Sequence, residues 1–219
     1  MNKKLAIEKT KEFVKEKLYG EGSGHDWFHI ERVYNLARYL SEKENADNFI
    51  VEITALLHDI DDWKFSSNND TNTTNTEMFL RTLGIKEEEL IKIINIIKTI
   101  SFKGGVVNSS QDTIEGKVVQ DADRLDAIGA IGIARTFAYG GSKNRVIYDP
   151  NIQPINFASL EQVKNEENHT INHFYEKLLK LKDLMNTKSA KEIAERRHKY
   201  MQEFLKEFYC EWNFNSDNN

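Results

Sequence analysis

The feature that most restricts this chain is the period of its apolar residues. In KEEELIKIINIIKTI, residues 86–100, Leu90, Ile93, Ile94 and Ile97 fall on one helical face behind an acidic first turn. Such isoleucine content also suits a strand, but the length and the 3.6-residue period select a helix. The same period recurs along the chain. Ile7, Val14 and Leu18 form a stripe within 3–18, and His29, Val33, Leu36 and Leu40 form another within 27–43. Residues 47–60 read as a buried helix. A further helix starts near Thr74 and stops at Gly84, and a long one covers 112–138. Residues 158–184 and 187–210 read as two long helices joined at MNTKSA, an antiparallel hairpin. Both prolines lie in the last expected loop, 139–154. The expected fold is therefore all-α. One domain spans 1–213, a helical hairpin over 156–212 packs on the bundle, and a disordered tail covers 214–219.

The bulk properties exclude several classes of function. A net charge of −5 gives no general attraction to nucleic acid or to an anionic membrane. No apolar run approaches the roughly 18 residues of a membrane span, and the charged start lacks the apolar stretch of a signal peptide. A single cysteine, Cys210, rules out an intramolecular disulfide and a thiolate zinc cluster. The expectation is a cytoplasmic protein acting on a small molecule, with a homodimer left open.

Polar groups interrupt this apolar pattern in three places. ALLHDIDDWKF, residues 55–65, sets His58, Asp59, Asp61 and Asp62 directly against a core-forming run. Their desolvation and mutual repulsion must be offset by a partner. An imidazole and a carboxylate at a helix end suit a divalent ion, and they equally suit a hydrogen-bonded helix cap. In HDWFHIERV, residues 25–33, His25 and His29 are one turn apart. His29 shares its face with Val33 and Leu36, as a ligand or as a packed core histidine. DADRLDA, residues 121–127, brings Asp121, Asp123 and Asp126 together between apolar flanks, with Asp123 and Asp126 one turn apart. Cations must sit among these acids, unless Arg124 neutralises a solvated turn. The small residues Ala127, Gly129, Ala130, Gly132 and Ala134 then permit close helix packing or leave room for a ligand. Arg32, Lys64, Lys103 and Arg135 each follow one of the motifs. Singly each reads as a solvated side chain; together they form the pattern that phosphate neutralisation beside a metal requires.

These strings resemble the HD-domain metal-dependent phosphohydrolases, in their small single-domain bacterial branch. His29, His58-Asp59 and Asp123 reproduce the H…HD…D order of that superfamily. The resemblance extends through ISFKG, VVQDADRLDAIGAIGIARTFAYGG and HFYEKLLKLKDLMNTKSAKEIAERRHKYMQEFL, nearly the whole chain. It implies an all-α HD-domain bundle that presents His29, His58, Asp59 and Asp123 to one divalent ion: Mn, Ni, Co, Fe, Zn or Mg. It places Asp62 beside the metal, where it would orient or deprotonate the attacking water, with Lys64 meeting phosphate. Arg32, Lys103, Arg135 and Asp126 are the further substrate-binding candidates. Two-metal HD proteins carry additional histidines between the second and last motifs. This chain has none between Asp59 and Asp123, which favours a mononuclear site. Relatives in this branch include nucleoside triphosphate pyrophosphohydrolases. The implied substrate is thus a (deoxy)nucleoside triphosphate, cleaved to monophosphate and pyrophosphate. A nucleoside 5′-monophosphate phosphatase and a catalytically silent nucleotide-binding module remain alternatives. His173 and Asn172 face either the pocket or internal packing, and Trp27 and Trp63 read as core or pocket rim.

Overall fold

The computed structural model describes residues 2–19, 26–61, 73–100, 109–159, 161–162 and 168–214. Among these the chain is all-α and holds no strand. The helices are α1 (Lys3–Leu18), α2 (Trp27–Glu44), α3 (Asn48–Leu57), α4 (Thr74–Thr82), α5 (Glu87–Thr99), α6 (Ile114–Asp126), α7 (Gly129–Ser142), α8 (Asn172–Glu176) and α9 (Lys188–Asn213). A 3-10 helix, Leu178–Leu184, lies between the last two. None of them is long and apolar enough to cross a membrane. The expected disordered tail lies outside the described residues from 215 onward.

The chain divides into two compact units. One comprises Met1–Asp123 with Phe157–Glu166, the other Arg124–Asn156 with Glu167–Asn219. In the first, α3 is the central helix and packs against α1, α2 and α5, while α4 packs on α5. Its interior is aliphatic: Ile30, Ile50, Ile53, Leu56, Leu57, Leu80, Leu90 and Ile93 belong to one buried cluster. The apolar face anticipated for α5 is buried, as are Val14 and Leu18 of α1 and His29, Val33 and Leu40 of α2, while Ile7 and Leu36 are half-buried.

Several helices begin where a short polar side chain closes the first turn. Asp26 caps α2 by accepting from the His29 amide at 2.9 Å, so the cap also seats the residue of greatest interest on that helix. Asp47 caps α3 through the Phe49 and Ile50 amides. Thr113 accepts from the Gly116 amide and starts α6. Three buried side chains then tie α6 to its neighbours. Glu115 is ion-paired with Lys92 of α5 at 2.9 Å and accepts from the Asp47 amide. Gln111 donates to the Ile96 carbonyl and to Thr99 Oγ1, at the end of α5. Gln120 donates to the Ile100 carbonyl at 3.0 Å and to the Ser109 carbonyl at 2.7 Å. These bonds engage carbonyls at the C-terminal end of α5, where the helix runs out of backbone donors.

Two expectations need correction. The single helix over 112–138 is in fact two helices, separated at Ala127-Ile128. Gly129 has φ +78°, a conformation open to glycine and strained for other residues. A side chain at Gly132 would meet the Ala127 carbonyl oxygen at 2.2 Å. The small residues thus serve a tight turn between helices. The second correction concerns 158–184. Among its described residues, 158–159 and 168–171 are not α-helical, and Leu178–Leu184 is 3-10. The Thr170 and Ile171 amides donate to the carbonyls of Val146 and Ile147 instead of to their own segment. The second arm is helical as read, over Lys188–Asn213.

The second unit carries an aromatic cluster that runs from the buried Phe174 to the exposed Trp212. Phe174 stacks on Phe204 with ring centroids 5.7 Å apart, and Tyr148 meets His169, Phe208, Tyr209 and Trp212 edge-on. α7 and α9 pack together within it.

Candidate metal centre

Four polar side chains converge in the first unit. His29 projects from the first turn of α2, His58 and Asp59 from the turn that ends α3, and Asp123 from α6. His29 Nε2 lies 3.3 Å from Asp59 Oδ2 and 3.5 Å from Asp123 Oδ1. His58 Nε2 lies 3.5 Å from Asp59 Oδ1 and 3.7 Å from Asp123 Oδ1. The two rings are 5.4 Å apart at 69°. One donor atom from each of His29, His58 and Asp59 falls within 4.8 Å of the others, and all three residues are buried. Asp123 is the most open of the four, its side chain 30% exposed.

This arrangement fits a divalent cation. The His58 Nδ1–H donates to the Ala55 carbonyl at 2.8 Å, leaving the Nε2 lone pair directed at the carboxylates. That nitrogen is buried and makes no hydrogen bond. A backbone acceptor on one ring nitrogen, with the other aimed into the site, is the usual support of a metal-binding histidine. Two nitrogens and carboxylate oxygens are a donor set for Zn²⁺, Mn²⁺, Fe²⁺, Co²⁺ or Ni²⁺.

Without a cation the electrostatics are those of a compressed charge cluster. Burial works against a charged His58 ring, but Asp59 and Asp123 outweigh it and push its pKa up to about 9. Burial likewise works against an ionised Asp123, yet His58 and His29 hold that carboxyl well below its usual range. His58 thus keeps at neutral pH the positive charge that a metal would otherwise supply.

The remaining candidates are distributed as follows. Arg32 is half-buried on α2, one turn beyond His29. Asp121 and Asp126 are both buried. Asp126 belongs to the second unit, where it accepts from Arg135 Nη1 at 2.7 Å. Arg135 and Asp126 therefore neutralise each other across the α6–α7 turn. Arg124 donates to the Leu184 carbonyl and does not lie free among the acids. Arg197 donates to the Leu125 carbonyl at 2.5 Å. Asn172 donates to the Ile152 carbonyl and to Asn168, as part of internal packing. Trp27 is buried in the core, with the Lys15 ammonium over its ring. His25, Asp62, Trp63, Lys64 and Lys103 lie outside the described residues.

One polar contact has no signature in the sequence. Asp61 accepts from the Thr76 amide at 2.9 Å and from Asn75 Nδ2 at 2.8 Å. Its partners stand fourteen and fifteen residues further on, beyond any local spacing rule.

An all-α chain whose helix ends bring two histidines and two aspartates together defines a class: helical proteins with a nitrogen–oxygen centre suited to a divalent ion. Comparison with known proteins makes the class particular. The HD domain family matches residues 27–128. YpgQ of Bacillus subtilis is 41% identical over 201 residues, covering 91% of this chain and 90% of that protein. Its crystal structure in complex with ADP superposes with a TM-score of 0.73 at 40% identity, over 92% of this chain and 95% of that one. An HD-superfamily hydrolase from Bacillus thuringiensis is 48% identical with a TM-score of 0.76, covering 98% and 100% of the two chains. A Lactobacillus plantarum protein reaches a TM-score of 0.86 at 37% identity, over 96% and 98%. The chain belongs to the HD-domain superfamily of metal-dependent phosphohydrolases.

Proposed function

We propose that this protein hydrolyses (deoxy)nucleoside triphosphates to the monophosphate and pyrophosphate, using one divalent ion held by His29, His58, Asp59 and Asp123. The carrying observation is the convergence of those four side chains. The complex of YpgQ with ADP supports a nucleotide as the ligand. The mixed imidazole and carboxylate donors suit Mn, Ni, Co, Fe, Zn or Mg as that ion.

A bound divalent ion in such a site polarises the phosphoryl centre and lowers the pKa of a coordinated water toward ~7. The protein's own residues do the rest. The Ala55 carbonyl and the Asp26 cap hold His58 and His29 in place before substrate arrives. Asp62, assigned from sequence, accepts a proton from the attacking water. Arg32, Lys64 and Lys103 hold the phosphate oxygens that do not react.

The decisive experiment incubates the purified protein with nucleoside tri-, di- and monophosphates and Mn²⁺, Mg²⁺, Co²⁺ or Ni²⁺, and resolves the products. Pyrophosphate with monophosphate supports the proposal. Orthophosphate from a monophosphate indicates a phosphatase, and tight nucleotide binding without turnover indicates a regulatory module. Either result refutes the proposed reaction.

A further inference from the structure

The turn that carries His58 and Asp59 does not end in solvent. Residues 58–61 follow α3 as a turn, closed by the Ile60 amide on the Leu57 carbonyl at 3.1 Å. At its last residue, Asp61, the chain is gripped from outside. Asp61 Oδ2 accepts from the Thr76 amide at 2.9 Å, and Oδ1 accepts from Asn75 Nδ2 at 2.8 Å. Thr76 is the third residue of α4, and its amide is one of those that a helix leaves without an internal partner. Thr73, which stands at the cap position itself, makes no side-chain cap bond. Asp61 therefore serves as the cap of α4 from a distant point in the chain. Its negative charge sits at the positive end of that helix.

Two consequences follow for the cluster HDIDD. Asp61 has both oxygens committed to α4, so its charge is turned onto a helix end. The turn is thereby held between two packed helices, α3 before it and α4 after it. α4 in turn is seated on α5 and buries Thr76 and Leu80. Metal centres need their donors held to fractions of an ångström. A ligand pair at the end of a helix meets that demand only when the chain leaving it is also fixed.

We infer that Asp61 is a positioning residue for the metal centre: by capping α4 it fixes the turn that presents His58 and Asp59. The inference rests on the metal-site reading above. It assigns Asp61 no contact with metal or substrate.

The test measures Mn²⁺ affinity by calorimetry on the full chain for the wild type and for D61A, D61N, N75A and D59A. Thermal unfolding of each variant in chelator is followed in parallel. D61A is expected to weaken Mn²⁺ binding about tenfold or more, the scale on which loss of an outer support affects metal sites. D61N keeps an oxygen that can accept from the Thr76 amide, and is expected to stay within about threefold of wild type. N75A removes only the Oδ1 partner and is expected to fall between D61N and D61A. It also supplies the measurement if D61A does not fold. If D61A and N75A bind Mn²⁺ like wild type and lose only thermal stability, Asp61 is merely a cap and the inference is overturned. If D61N loses as much as D61A, the effect is one of charge and not of position, which also overturns it. D59A separates the two levels. Unchanged Mn²⁺ binding in D59A defeats the metal-site reading itself, whereas loss in D59A with no loss in D61A defeats only the role of Asp61.

Discussion

The His58 ring offers a quantitative test of the site's electrostatics. Its pKa in the folded protein without metal is pushed from 6.5 up to about 9, with Asp59 and Asp123 overcoming the effect of burial. A rise of about two and a half pH units corresponds to about 3 kcal/mol of folding stability, at about 1.4 kcal/mol per unit. Because the folded state holds the proton more tightly, this stability is fully present below about pH 6.5. It is lost as pH rises through about 9. A metal needs the neutral ring and so competes with that proton. At about pH 7 the proton weakens metal affinity by about 100-fold relative to its value well above pH 9. The assay is urea unfolding of chelated wild type and of His58→Gln between about pH 6 and 9.5. The difference between the two proteins isolates this ring from every other titrating group. The wild type should lose its electrostatic contribution across that range, and the variant should not. Calorimetric Mn²⁺ titration in buffers of different ionisation enthalpy should show close to one proton released at pH 7. A wild-type-minus-variant stability that stays flat or grows from pH 6.5 to 9 would refute the reasoning, as would metal binding without proton release.

Three further outcomes are expected. Asp62→Asn should keep Mn²⁺ affinity while lowering turnover by about 10²–10⁴-fold, the scale of a lost general base; calorimetry and a product assay separate the two effects. Leu57→Ala, at a fully buried position one residue before His58, should cost about 2–5 kcal/mol in chemical denaturation. Gly129→Ala meets both a φ of +78° and the Arg197 side chain, whose Cγ lies 3.0 Å from the new carbon; it should destabilise by at least about 1–2 kcal/mol in the same measurement.

Much of the first unit was legible in the sequence because its helices are amphipathic and α1, α2 and α3 cap themselves locally. Leu90, Ile93, Ile94 and Ile97 announce the buried face of α5, and Gly84, at φ +66°, marks the stop after α4. The order of His29, His58-Asp59 and Asp123 was legible through family resemblance. Spacing alone left each of them open between ligand and structural residue. What escaped depends on contacts distant in sequence. The turn at Ala127-Ile128 hides in a run of small residues that also suits an unbroken helix; only the backbone at Gly129 decides it. Thr170 and Ile171 carry no sign that their amides pair with Val146 and Ile147. The partners of Asp61 stand across a polar segment whose length no pattern rule bridges.

The two glutamines that close the end of α5 bear on how the centre responds to acidity. Gln120 joins Ile100 to Ser109, and Gln111 holds Ile96 and Thr99. Both are neutral amides that neither gain nor lose a proton in water. Ile100 and Ser109 are therefore joined by bonds blind to pH, while the His58 imidazole is strongly sensitive to it. Proton sensing and chain closure are thus assigned to chemically different side chains. An acidic substitution at Gln120 would merge them, by placing a titratable group in the clasp itself.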